Sequence, residues 1–230
     1  MKPLRTVIPF KSDNPKSRLS SFFSEEERRT FVELSLKNVL TALDEAGICS
    51  VDFLLKNPLA DAEMQKIKTF FNGTVSFQTD ERDLSTAVNS YLKTSADPVL
   101  IVMADLSLLT KDDVFEMIQE PKKEPKKEPK QDPKTMADGA IQKLIRIAPG
   151  KDGGTNMIYI EAPDVYEVDY YGNSCQKHIN EAKKKGLLYE TYDSFFAASD
   201  IDEPEDLESI LKYGQGEIYD FVVNAFKNHK

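Results

Sequence analysis

"DPVLIVMADL", residues 97–106, is the stretch on which the fold turns. Val99 to Ala104 form an uninterrupted apolar run, closed by Asp97–Pro98 on one side and Asp105 on the other. The run is far short of a membrane helix, which needs about 18 apolar residues. It also lacks the alternation of a strand with one wet face, and so reads as a central strand buried on both faces, the environment of parallel sheets.

Working back from it, Asp83–Leu92 reads as a helix, "TVSFQTD" (74–80) as a strand, "PLADAEMQKIKTFF" (58–71) as a helix and "ICSVDFLLK" (48–56) as a strand. Before these, Ser24 followed by Glu25, Glu26 and Glu27 starts a helix by capping and by the dipole, and Gly47 stops it. Residues 4–10 are a first strand. Strand and helix in alternation predict an α/β fold: one domain over residues 1–230, with a mostly parallel central sheet and helices on both faces. Beyond the run, "IQKLIRIAPGKDGGTNMIYI" (141–160) reads as strand, glycine-rich loop, strand. Helices are expected over Ser174–Lys185, 202–214 and 216–230. "EPKKEPKKEPKQDPK" (120–134) is different: proline recurs at every fourth position, which forbids a continuous helix, and the segment reads as a low-complexity mobile insertion.

At 230 residues and 40% apolar content the chain can bury a full core. A net charge of −9 argues against a general nucleic-acid binder. Cys49 and Cys175 lack the spacing of a zinc site, no apolar segment is long enough for a membrane span, and the N-terminal apolar run is too short for a signal peptide. The expectation is a soluble protein of the reducing cytoplasm.

In parallel α/β sheets ligands bind beyond the carboxyl ends of the strands. The first strand empties into "KSDNPKSR", which carries Lys11, Lys16 and Arg18, and the buried run empties onto Asp105. Asp200 and Asp202 stand two apart, so an extended segment aims both carboxylates the same way, an arrangement a divalent cation relieves. Plainer readings stand beside these: Asp105 in a strand-to-helix turn before a helix capped by Thr110, and Asp202 as a helix cap. "APGKDGGTN" (148–156) offers glycines and the side chains of Thr155 and Asn156 to an anion, or is only a turn. Gly172 and Ser174 stand at the start of a helix whose free N–H groups suit a phosphate, or simply cap it. His178, one turn in, reads as structural. No serine or cysteine nucleophile with a base stands out. Cations, carboxylates and anion-suited loops together point to phosphoryl or nucleotidyl transfer.

"VIPFKSDNPKSRLS", "MADLSLLTKDDV", "APGKDGGTN", "YGNS" and "DIDEPEDL", in this order, closely resemble the 2-phospho-L-lactate guanylyltransferases of methanogenic archaea. The resemblance spans most of the chain outside the lysine–proline repeat. It implies a nucleotidyltransferase of glycosyltransferase-A-like fold that joins GTP to 2-phospho-L-lactate in coenzyme F-420 biosynthesis. By motif it puts Lys16 and Arg18 on the nucleotide phosphates with Lys11 nearby, Asp83 and Leu84 beside the nucleobase, Asp105, Asp200 and Asp202 on Mg²⁺, and Thr155, Gly172 and Ser174 around the phosphorylated acid. It further implies a homodimer and, as a hypothesis, handover of a labile product to the next enzyme. Ser107 replaces the family's usual proline, and Asp152 stands where glycine is common. Phosphoenolpyruvate or 3-phosphoglycerate as the acid, and a non-catalytic nucleotide-binding protein docking through the repeat, are the alternatives.

Overall fold

The structure is a computed structural model that describes residues 3–11, 16–119 and 142–228. In chain order the elements are β1 (Arg5–Phe10), α1 (Glu25–Glu45), β2 (Ser50–Leu55), α2 (Asp61–Lys68), β3 (Thr74–Thr79), α3 (Leu84–Leu92), β4 (Val99–Val102) and α4 (Lys111–Ile118). They continue with β5 (Leu144–Pro149), β6 (Thr155–Ile160), α5 (Ser174–Lys184), β7 (Leu188–Thr191), α6 (Phe195–Ala198), α7 (Leu207–Tyr213) and α8 (Gly216–Asn228). The 120–134 insertion lies outside the described residues.

The strands form one sheet in the order β3-β2-β1-β4-β6-β5-β7. β1 pairs in parallel with β2 and β4, β2 with β3, and β5 with β7, while β6 runs antiparallel to both its neighbours. Reversal of β6 has a geometric result. Its amino end lies at the same edge of the sheet as the carboxyl ends of β1, β4 and β5, so Thr155 begins where Phe10, Val102 and Pro149 finish.

Val99, Leu100, Ile101 and Val102 are fully buried, which bears out the reading of the apolar run. Successive side chains of a strand face opposite ways. Leu100 and Val102 accordingly pack with Leu40, Phe53 and Met157 on one face, and Ile101 packs with Val88, Ile147 and Ile158 on the other. Hydrophobic burial at these central positions contributes about 1.5–3 kcal/mol per side chain. A third apolar cluster, with Leu19, Phe23, Phe31, Ile201, Leu207 and Val222 among its members, lies beside the sheet and ties the segment after β1 to the C-terminal helices.

Helix starts follow the sequence closely. Ser24 accepts from the Glu27 N–H while Glu27 reaches back to the Ser24 N–H, a reciprocal cap. Asp83 caps α3 by accepting from the Thr86 N–H, and Thr110 caps α4. α5 differs by one position: Asn173 is its cap and Ser174 is its first helical residue. The expected 58–71 helix is shorter, because Pro58 and Ala60 precede a start at Asp61. β7 and α6 have no counterpart in the sequence reading. β7 is a four-residue edge strand with mostly exposed side chains, so no apolar pattern marks it.

Candidate active site

Lys16 opens a 3-10 turn over Ser17–Ser21 and is left-handed, with φ 47° and ψ 50°. For a lysine this conformation costs about 1–2 kcal/mol, and two interactions hold it. Leu19, three residues on, is fully buried in the third apolar cluster. The Lys16 ammonium meanwhile lies among three carboxylates, 2.6 Å from Asp105 Oδ2, 2.8 Å from Asp202 Oδ1 and 3.2 Å from Asp200 Oδ1. Only 6% of the Lys16 side chain is exposed, against 29–36% for the three aspartates.

Ile201 explains why Asp200 and Asp202 face the same way. It is wholly buried in the cluster that holds Leu19, so its neighbours on either side turn outward together. Asp202 does not cap the turn at Pro204. The cap there is Glu203, and Asp206 accepts from the N–H groups of both Asp202 and Glu203. Lys151 of the glycine-rich loop also donates to Asp206 at 2.6 Å, tying that loop to the aspartate-bearing segment.

Burial works against the Lys16 ammonium, but the charges of Asp105, Asp200 and Asp202 outweigh it and hold the group above the usual lysine value. Burial and the neighbouring Asp105 charge push Asp200 up to about 6, with Lys16 acting in the opposite direction. One ammonium therefore serves three carboxylates. One oxygen from each aspartate lies within 4.8 Å of the others, all are hard donors, and the set fits a cation such as Mg²⁺. Arg18 stands at the rim, 3.8 Å from Asp202 and largely exposed. Lys11 is exposed one residue past β1.

The second part of the site lies where β6 begins. Thr155, Ser174 and His178 are all buried. Thr155 Oγ1 is 2.9 Å from His178 Nδ1 and 3.1 Å from Ser174 Oγ. Gly172 has φ +62°, which a side chain would strain, and its carbonyl accepts from the Ser174 N–H. The glycine-rich loop closes on itself through Gly150 N–H to the Gly154 carbonyl, and Gly153, with φ +77°, accepts from the Cys175 N–H of α5. Asp152 is exposed on this loop.

Asn156 does not offer its side chain to a ligand. It is buried, its amide donates to the Ala197 carbonyl, and its own carbonyl accepts from the Met103 N–H. It thus pins the chain leading to Asp105 and the helix leading to Asp200 against the start of β6. A Cβ on Gly150 would come within 2.8 Å of the Asn156 amide oxygen, which is why glycine stands there. Ser107 bonds Ser35 of α1 at 2.8 Å through a buried hydroxyl pair, which ties the turn after β4 to that helix. The Asp83 carboxylate is engaged by Thr86, and Leu84 is partly buried against the sheet. Ser85, beside them, accepts from the Tyr170 N–H, joining the start of α3 to the approach to Gly172.

Two clusters thus stand at one sheet edge: cation with carboxylates, and hydroxyls with glycines. Residues 4–125 and 129–224 match the family model described as "Guanylyl transferase CofC like". The chain is 39% identical over 224 residues to the 2-phospho-L-lactate guanylyltransferase of Methanosarcina mazei, covering 97% of this chain and 94% of that one. It is 36% identical over 214 residues to the same-named protein of Methanocella arvoryzae, with 93% and 83% covered. Among solved structures, a protein assigned as a nucleotide-diphospho-sugar transferase from Desulfovibrio desulfuricans superposes with a TM-score of 0.72 at 14% identity, covering 99% of this chain and 96% of that one. A cytidylyltransferase from Leptospira borgpetersenii gives 0.53 at 17%, covering 100% and 95%. At these identities the solved structures show the fold alone, that of nucleotidyltransferases.

Proposed function

The chain belongs to the family of CofC-like guanylyl transferases, and on that premise we propose that it transfers GMP from GTP to 2-phospho-L-lactate. The products are lactyl-2-diphospho-5'-guanosine and pyrophosphate, in coenzyme F-420 biosynthesis. The observation that carries this reading into the structure is the convergence of Asp105, Asp200 and Asp202 on one point beside Lys16.

Lys16, Arg18 and Lys11 hold the triphosphate, with Asp83 and Leu84 at the start of α3 beside the nucleobase. Mg²⁺ held by Asp105, Asp200 and Asp202 would neutralise charge on the reacting phosphates. Thr155, Gly172 and Ser174 hold the phosphorylated acid, and the support for that placement is their shared position at the amino end of β6. A phosphate oxygen of the acid forms the new bond to the α-phosphorus of GTP, while the bond from that phosphorus to the β-phosphate oxygen breaks and pyrophosphate leaves. No general base is required, because the attacking phosphate is already ionised at neutral pH. The ammonium of Lys16 and the guanidinium of Arg18 stabilise charge that builds on the leaving oxygens. Pairing of two copies belongs to the same reading, with exposed Phe195 and Tyr213, whose rings meet at 4.9 Å, as apolar surface such pairing would cover.

The test is pyrophosphate release from GTP with Mg²⁺ and phospholactate, phosphoenolpyruvate, 3-phosphoglycerate or no acid, alongside Asp202→Asn. Release with phospholactate that falls at least about a hundredfold in the variant is expected, since charge stabilisation of this kind contributes at that scale. Release that no acid supports, or that survives the substitution, refutes the reading.

A further inference from the structure

His178 is fully buried on α5, far from any solvent role, yet both its ring nitrogens are engaged. The Asp169 backbone N–H donates to Nε2 at 3.0 Å. A backbone N–H can only donate, so Nε2 carries no proton and the neutral ring bears its proton on Nδ1. Nδ1–H then donates to Thr155 Oγ1 at 2.9 Å. Tyr166 fixes the helix from the other side by donating to the His178 carbonyl at 2.8 Å, and the Tyr170 ring packs edge-on against the imidazole at 5.1 Å.

This chain of donors fixes two hydroxyls. Thr155 Oγ1 accepts from the imidazole and from the Ser174 hydroxyl. The Ser174 proton thus lies between the two oxygens, and the Thr155 hydroxyl proton has no acceptor among the described residues. A buried hydroxyl proton without an acceptor is costly, and a ligand oxyanion would remove that cost. We propose that His178 is a positioning residue: its Nδ1–H holds the Thr155–Ser174 pair so that one hydroxyl proton is presented to an anionic oxygen of the phosphorylated acid. This rests on the assignment of Thr155 and Ser174 to the acid. His178 touches no reactant and serves binding of one substrate only.

The experiment compares His178→Asn, whose amide nitrogen occupies the Nδ1 place and still donates to Thr155, with His178→Gln, whose amide reaches the Nε2 place and does not. Thr155→Val is measured alongside, each as full-length protein with GTP, Mg²⁺ and 2-phospho-L-lactate. The expected result is a KM for phospholactate raised about tenfold in His178→Gln and Thr155→Val, within about threefold of the parent in His178→Asn, and a KM for GTP unchanged in all. If Thr155→Val raises that KM and His178→Gln does not, or if His178→Gln raises both KM values alike, the positioning role is overturned and the acid site stands. If Thr155→Val leaves it unchanged, the assignment of the acid site fails and takes the proposal with it. Thermal melts of each variant exclude a simple loss of fold, and His178→Asn carries the comparison by rescue if His178→Gln is unstable.

Discussion

Replacing Lys16 with methionine keeps most of the apolar stem and removes the charge that the three aspartates share. Breaking a fully buried ion pair from one side costs about 3–5 kcal/mol. Here the carboxylates keep 29–36% of their exposure, so water and salt reach them. The loss should be discounted to about 1–3 kcal/mol. For a chain of 230 residues that lowers Tm by roughly 3–10 °C. The same substitution should strengthen divalent-cation binding in the absence of nucleotide. An ammonium about 4 Å from a dication is repelled by about 2 kcal/mol even at the dielectric constant of bulk water. Removing it, or removing the need to displace it, should lower the Kd for Mg²⁺ about thirtyfold. Differential scanning fluorimetry and calorimetric titration with Mg²⁺, both without GTP, read the two effects directly. A variant as stable as the parent, or one with the parent's Mg²⁺ affinity, would refute the view that the Lys16 ammonium offsets the charge of the three aspartates.

Three further outcomes follow from buried groups. Burial, together with Lys177 and against the opposing pull of Asp169, depresses His178 to about 4, with Tyr166 and Tyr170 also packed on it. The unfolded chain therefore takes up a proton first. His178 contributes full stability above about pH 6.5, and about 3 kcal/mol of it is lost as pH falls from there through 4. Urea midpoints between pH 7 and 4.5 should fall more steeply for the parent than for His178→Asn. Asp113, only 3% exposed, accepts from the Thr110 N–H and from Tyr192 and Ser194. Asp113→Ala strands those donors and should cost about 2–4 kcal/mol by denaturant titration. A Cβ on Gly73 would meet the Cys49 carbonyl at 2.3 Å. Gly73→Ala should destabilise by about 1–3 kcal/mol with the specific activity of the folded fraction unchanged, because the clash lies at the opposite edge of the sheet.

The first half of the fold was legible because its signals are local: a fully apolar central strand, acidic helix starts and caps such as Ser24 and Asp83. The paired aim of Asp200 and Asp202 followed from strand geometry, and burial of Ile201 bears it out. What the chain does at Lys16 was not legible, because its place among the carboxylates depends on Leu19 and Ile201 meeting in one apolar cluster across 182 residues of sequence. Asn156 reads as a ligand donor in isolation and proves to be a brace, since its partners at Met103 and Ala197 come from distant turns. The tautomer of His178 likewise depends on a backbone N–H nine residues away.

Arg146 is buried on β5, where one terminal nitrogen donates to the carbonyls of Glu116, Met117 and Gln119, the last turn of α4, and its other donors reach Glu190. The end of that helix is thereby set by a residue beyond the 120–134 repeat, not by whatever follows it in the chain. Closing a longer connection between two points already held in place costs only about 0.6 kcal/mol per doubling of its length. A change in the length of chain between Gln119 and Gln142 should therefore leave the end of α4 where it is, because Arg146 holds that end.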